Sequence, residues 1–156
     1  HVATRGTVYL GVRDGSDGIF SDRITRVKPT ANSSRATRRL PLHRTGGGRV
    51  LLAYSPEAWD ELVADSASDP EMTARIPELR AQLAEIRRTG VGIARNDGLP
   101  GRTSVAAAVL DSQGAIVASV TVAFPESRIP QPQQIVPRVI ATARAISRDL
   151  AATGEF

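Results

Sequence analysis

Hydrophobic and polar positions alternate with a period of two at the start of the chain. In residues 7–12, Val8, Leu10 and Val12 share one face, and Asp14-Gly15 follows as a turn. A first strand is predicted there. A second is predicted over residues 19–27 on Phe20, Ile24 and Val27. Lys28-Pro29 interrupts it, because proline has no amide to give to a ladder. Residues 31–39 are polar and basic, with Arg35, Arg38 and Arg39 close together. They read as a solvated surface segment, or else as an anion-contacting edge or a subunit-interface strand. The glycine triplet Gly46-Gly47-Gly48 precedes the apolar run 50–53 and predicts a loop entering a short helix. Such glycines bring backbone close to a ligand and leave amide donors at a helix start, which favours an anion. A flexible turn is the alternative, and the spacing of a phosphate-binding P-loop is absent.

Further on, the period changes to that of a helix. Ser55 is positioned to cap a helix that begins at Pro56 and carries Glu57, Trp59, Leu62 and Val63. A polar linker over residues 65–73 is expected next. Pro77 then starts a second helix with Leu79, Leu83 and Ile86 as its buried stripe, Arg87 and Arg88 in its last turn and Gly90 at its end. A short strand, 91–94, enters the loop 95–101. The strongest hairpin signal joins strands 104–110 and 115–124 through Asp111-Ser112-Gln113-Gly114. Ala106, Ala107 and Ala108 are small enough for a helix to lie close on this sheet. A long helix over residues 132–152 closes the chain, with Ile135, Val139, Ala143, Ile146 and Leu150 in register and Pro137 tolerated near its start. The class is α+β, an antiparallel sheet covered by helices.

A length of 156 residues and a hydrophobic fraction of 41% suit one domain, residues 1–156, with one core. The chain begins at His1 rather than Met, so it is expected to be a piece of a longer protein. No run reaches the roughly 18 apolar residues of a membrane span and no charged-then-apolar leader opens the chain, so a cytoplasmic location is expected. The absence of cysteine excludes disulfides, thiol catalysis and cysteine-based metal sites. With His1 and His43 as the two histidines, neither a metal centre nor any cofactor is expected. The net charge of +4 comes from 20 basic and 16 acidic residues. The pI near 10.6 reflects a basic set that is arginine apart from Lys28. With 4% aromatic residues the chain lacks the stacking platforms of single-strand nucleic-acid binders.

Two longer stretches carry a resemblance. Residues 38–53, RRLPLHRTGGGRVLLA, resemble the RxLPLHATALGKALLA signature of the effector domain of IclR-family bacterial transcriptional regulators. Residues 101–123, GRTSVAAAVLDSQGAIVASVTVA, resemble the same domain's second signature, GvrCvAAPVfDxxGxvvaalsvsgP. The helix–Gly90–strand between them and the terminal helix follow in the same order. The resemblance extends from Gly6 to Leu150. It implies a GAF-like fold, assembly into dimers or tetramers, and a pocket for a small effector such as an organic or aromatic acid. It also implies that DNA is bound through an N-terminal winged helix-turn-helix domain lying ahead of His1. Carried over position by position, the pocket would be built from Leu40, Gly46, Gly47, Ser104, Thr121 and Ala123. Ser104 stands where the family often has cysteine. Backbone amides and two hydroxyls would fix a carboxylate, with Leu40 as an apolar wall. Ordinary strand hydroxyls satisfied by backbone are the alternative for Ser104 and Thr121. Arg44 and Arg49 replace the family's alanine and lysine, and Ala94-Arg95-Asn96-Asp97 replaces an acidic run. These departures predict a more anionic effector.

Two other classes compete. An enzyme would need a nucleophile and a base, but no GxSxG elbow is present, and His43 reads as a residue hydrogen-bonding across its loop. Asp60, Glu61 and Asp65 lie on one exposed helix face rather than forming a catalytic pair. No catalytic residue is assigned. An oligomerisation module without an effector is the stronger rival, resting on the apolar terminal helix and the basic segment 31–39.

Overall fold

Hydrophobic alternation places a six-stranded antiparallel sheet at the centre of the molecule. A computed structural model describes residues 6–24, 38–95, 101–128 and 131–153. The strands are β1 (Thr7–Asp14), β2 (Asp17–Ile24), β3 (Arg38–Pro41), β4 (Val91–Arg95), β5 (Arg102–Leu110) and β6 (Ile116–Pro125). They lie in the order β3-β2-β1-β6-β5-β4. The helices are α1 (Gly46–Ala53), α2 (Pro56–Ser66), α3 (Pro70–Thr89) and α4 (Val136–Thr153), with a 3-10 turn Leu42–Arg44 before α1 and another, Pro132–Ile135, before α4. The expected α+β class, with helices flanking an antiparallel sheet and a long C-terminal helix, is what the chain forms.

The β5–β6 hairpin turns where its residues predict. Asp111 Oδ1 accepts from the amides of Gln113 and Ala115, both at 2.8 Å, and Gly114 takes φ +80°. Glycine adopts that left-handed conformation without Cβ strain. Because β5 alternates, Ala106 faces α1 while Ala107 faces α4. The strand therefore belongs to two cores. One joins Leu42, Val50, Leu51, Leu52, Leu79, Leu83 and Ile86 beneath α1 and α3. The other joins Val105, Val109, Val120, Phe124, Ile135, Val139 and Ala143 beneath α4. The helical stripe read along the terminal segment is the face α4 turns to the sheet, and Ile146 and Leu150 pack on that core partly buried.

Four expectations need correction. The second of the two middle helices starts at Pro70, not Pro77, and Asp69 caps it by accepting from Glu71 N at 3.0 Å and Met72 N at 3.1 Å. Asp69-Pro70 is the stronger start signal, and Pro77 sits inside α3 on an exposed position. The linker accordingly shrinks, since Asp65 and Ser66 end α2 and Pro70 to Thr73 open α3. Ser55 occupies the cap position before Pro56, but its hydroxyl donates back to Leu51 O at 2.9 Å and caps nothing. The glycine triplet is the first turn of α1 rather than a loop ahead of it. The second strand runs Asp17–Ile24, and the remainder of the expected 19–27 span lies outside the described residues, as do 31–37 of the basic segment. On β1, Val8 packs toward the α4 core, but Leu10 and Val12 on the same face stay 44% and 40% exposed.

Candidate functional site

Three features bring α1 unusually close to the sheet. Thr45 caps the helix, its Oγ1 accepting from Gly48 N at 2.9 Å. Gly46 and Gly47 then meet the sheet through bare backbone. A Cβ at Gly46 would stand 2.5 Å from Ser104 Oγ, and one at Gly47 would lie well inside contact distance of Thr121 Oγ1 and 3.0 Å from the Phe20 ring. The sheet is hollowed in step. Phe20 lies over Gly11 and Gly18, where an added Cβ would come within 2.5 Å of its ring. Helix and sheet thus approach to a distance that side chains would forbid.

On the sheet beneath α1, β6 presents Ser119, Thr121 and Ala123, and β5 presents Ser104 opposite Ala123. Ser104 and Ser119 are fully buried, and Thr121 is 4% exposed. Their three hydroxyl oxygens have no hydrogen-bond partner among the described residues. Thr103, unpartnered as well, points to the other face of β5 and stands apart from this group. A buried hydroxyl left unpaired costs about 1–3 kcal/mol, and buried polar groups in folded proteins are rarely left so. Three on one patch, beside a helix start, form a set of donors and acceptors suited to a polar guest. The amide of Gly47 adds to them, because N–H groups in the first turn have no intrahelical acceptor.

A cavity of about 50 Å³ opens beside this patch, with Thr121, Gly47 and Thr45 at its polar end. Phe20, Leu40 and Ala123 form apolar walls, and Tyr9 and Arg38 complete the lining. Of the six residues expected to form a pocket, the structure places Leu40, Gly47, Thr121 and Ala123 on this cavity. Gly46 and Ser104 touch each other immediately beside it. Sequence reasoning missed Tyr9, Phe20, Thr45 and Ser119, and it named Arg38 only within a basic segment read as a solvated surface or an anion-contacting edge. Thr45 had a readable signal, a threonine three residues before Gly48 at a helix start. Gly11 and Gly18 flanking Phe20 were another, since paired glycines across strands make room for a ring. Arg38 carried none beyond its basic neighbours. A larger groove, about 550 Å³, runs along the β4 edge between Ile86, Val91 and Val136, but of the expected six it touches Gly46 alone. It holds none of the unpartnered hydroxyls, whereas the smaller cavity holds that of Thr121.

The other arginines noted in the sequence lie elsewhere. Arg49 Nε donates to His43 O at 2.9 Å, Arg44 is exposed, and Arg95 pairs with Glu126. His43 does bridge its loop, but through its backbone carbonyl, and its ring makes no hydrogen bond among the described residues. Burial first, and then the positive charges of Arg75, Arg44 and Arg49, hold the imidazole pKa below its ordinary 6.5. The folded state therefore binds fewer protons here than the unfolded chain, so stability is present above pH 6.5 and falls as the solution is acidified through that value. The melting temperature is expected to drop between pH 7.5 and 5.5 more steeply in the native sequence than in His43→Gln, compared by calorimetry (pH span of about one unit either side of the ordinary value). Equal slopes would remove His43 from this role.

The fold of this chain is shared by solved domains. The crystal structure of the transcriptional regulator YaiJ superposes with a TM-score of 0.82 at 20% identity, covering 97% of this chain and 89% of that one. The C-terminal domain of the Escherichia coli transcriptional regulator KdgR does so at 0.72 and 24% identity, covering 96% and 90%. These likenesses define the class of fold, an α+β domain with helices on an antiparallel sheet. Residues 2–148 match the family described as bacterial transcriptional regulator IclR C-terminal, and the chain belongs to that family. Among named relatives, the HTH-type transcriptional repressor AllR of Klebsiella pneumoniae is 30% identical over 151 residues, 92% of this chain and 55% of AllR. The chain spans about half the length of such relatives. They are transcriptional regulators, not enzymes. Among the described residues no helix is long and apolar enough to cross a membrane, and no cluster of acidic residues and histidine is placed to hold a metal.

Proposed function

We propose that this domain is the sensor of its regulator and that it binds a small organic acid in the cavity beside α1. The reading rests on one observation, the three buried and unpartnered hydroxyls of Ser104, Ser119 and Thr121 facing a glycine-built helix start. A carboxylate suits them. It accepts from the Gly47 amide and from the Thr121 hydroxyl, which line the cavity, and it gains from the positive end of the α1 dipole. About 50 Å³ holds roughly four water-sized groups, so a short aliphatic acid fits the cavity better than an aromatic one. Binding there ties α1 to β5 and β6. Because α1 is also the centre of the core beneath α3, occupancy reaches the α2–α3 layer through one packed helix. In the longer cytoplasmic protein, a dimer or tetramer, this displacement would alter how a DNA-binding part holds its operator.

The test is thermal unfolding of the purified domain against a panel of short aliphatic acids, aromatic acids and their neutral amides. A melting temperature that rises with the concentration of one acid, by about 2.7 kcal/mol of stabilisation at a hundred times Kd, supports the sensor. The rise should vanish in Ser104→Leu. A second reading, an assembly module without effector, is favoured by the uncovered Leu10 and Val12 on β1. It gains the field when no acid moves the transition.

A further inference from the structure

The cavity has two polar ends, and they differ in kind. The inner end offers an amide and hydroxyls from Gly47, Thr45 and Thr121, and the outer end offers the guanidinium of Arg38. Arg38 faces Phe20 across the β2–β3 ladder and so belongs to the α1 side of the sheet. Its neighbour Arg39, of opposite parity, is consumed on the other side by Asp14 and Asp17, each at 2.8 Å. Arg38 has no carboxylate partner among the described residues, and it is exposed at the rim. The rest of the lining is Phe20, Leu40 and Ala123, which are apolar, and Tyr9, which pairs with Thr121 across the β1–β6 ladder.

We propose that the effector is a short dianion, a small dicarboxylate, with one acid inside the cavity at the α1 start and the second reaching out of it to the exposed Arg38. This rests on the sensor reading and specifies the ligand of the same cavity. A guanidinium presents two parallel N–H groups that match a carboxylate bidentately, which no hydroxyl at the inner end can do. An apolar stem between two anion-seeking ends excludes amino acids, whose ammonium would meet either Arg38 or the helix dipole with like charge. It disfavours monoacids by the one contact they leave unmade.

Titration calorimetry decides it, using malonate, succinate and glutarate, their monomethyl esters, and butyrate. The native domain is expected to bind one diacid about tenfold or more tighter than its own monoester, the gain of a charge-assisted bidentate contact at a solvent-facing rim. Arg38→Gln should erase that preference, weakening the diacid about tenfold more than the monoester. Arg39→Gln, on the opposite face, should keep it. Equal affinity for diacid and monoester in the native domain would overturn the dianion and leave the sensor standing. A preference that persists in Arg38→Gln would overturn the role of Arg38. Binding of no probe, together with a Ser104→Leu domain that behaves like the native one toward every acid, would overturn the sensor reading itself.

Discussion

Replacing Gly48 by alanine is expected to lower the melting temperature by about 4–8 °C, against the rule for helices. In an exposed helix, exchanging glycine for alanine gains about 0.5–1 kcal/mol. Gly48 sits in the first turn of α1, where a Cβ would be driven onto the backbone carbonyl of Leu42. The atom in the way belongs to the 3-10 turn Leu42–Arg44 and cannot rotate aside as a side chain would. Relief requires α1 to lift or the turn to shift, and Leu42 is itself 2% exposed within the core beneath α1. Overpacking of this kind costs about 1–3 kcal/mol or somewhat more, which outweighs the propensity gain. For a domain of this size each kcal/mol moves the transition by about 2–4 °C. Calorimetric melting of the variant reads the sign directly. A variant as stable as the native domain would mean that the turn yields freely and the close approach is not needed.

The second large effect is on binding. Gly47→Val is expected to weaken the effector at least about a hundredfold while the domain still folds. The Cβ falls where Thr121 Oγ1 stands and 3.0 Å from the Phe20 ring, and the two further methyl groups enter the cavity. The amide of Gly47 remains, but its approach is covered, and Thr121 must turn its hydroxyl away. Loss of two charge-assisted contacts, each worth about 1.5–3 kcal/mol, corresponds to a hundredfold or more. The variant also overpacks by about 1–3 kcal/mol, so binding is measured by calorimetric titration well below its melting temperature, after its circular dichroism has been matched to the native domain. Undiminished binding would move the ligand out of this cavity.

What the sequence revealed and what it hid divide along a physical line. The β5–β6 hairpin was legible because period two, a turn with Asp and Gly at its ends, and small residues in mid-strand all agree. The stripe on α4 was legible for the same reason, as packing and propensity point one way. The start of α3 was misplaced because two prolines compete for one role, and capping by Asp69 settles it in favour of Pro70. The glycine triplet misled more instructively. Glycine is poor within a helix, so the local rule placed it outside. The helix accepts it because Gly46 and Gly47 abut side chains of the sheet and Gly48 abuts the Leu42 carbonyl. That demand arises only once α1 and the sheet are brought together. Arg38 was legible only as part of a basic segment that could be a solvated surface or an anion-contacting edge. In the chain it is one of several arginines, and only the pairing of β3 with β2 separates the face it occupies from that of Arg39.

The unpartnered hydroxyls have an evolutionary side. Alanine at Ser104 and Ser119 and valine at Thr121 would remove hydroxyls that have no partner among the described residues, and would be expected to stabilise the domain. The same exchange would take the Thr121 hydroxyl from the cavity and the two serine hydroxyls from the patch beside it, the polar groups the proposed acid would meet. Selection for robustness and selection for perception thus pull these three positions in opposite directions, and a hardier version of this domain would also be a deaf one.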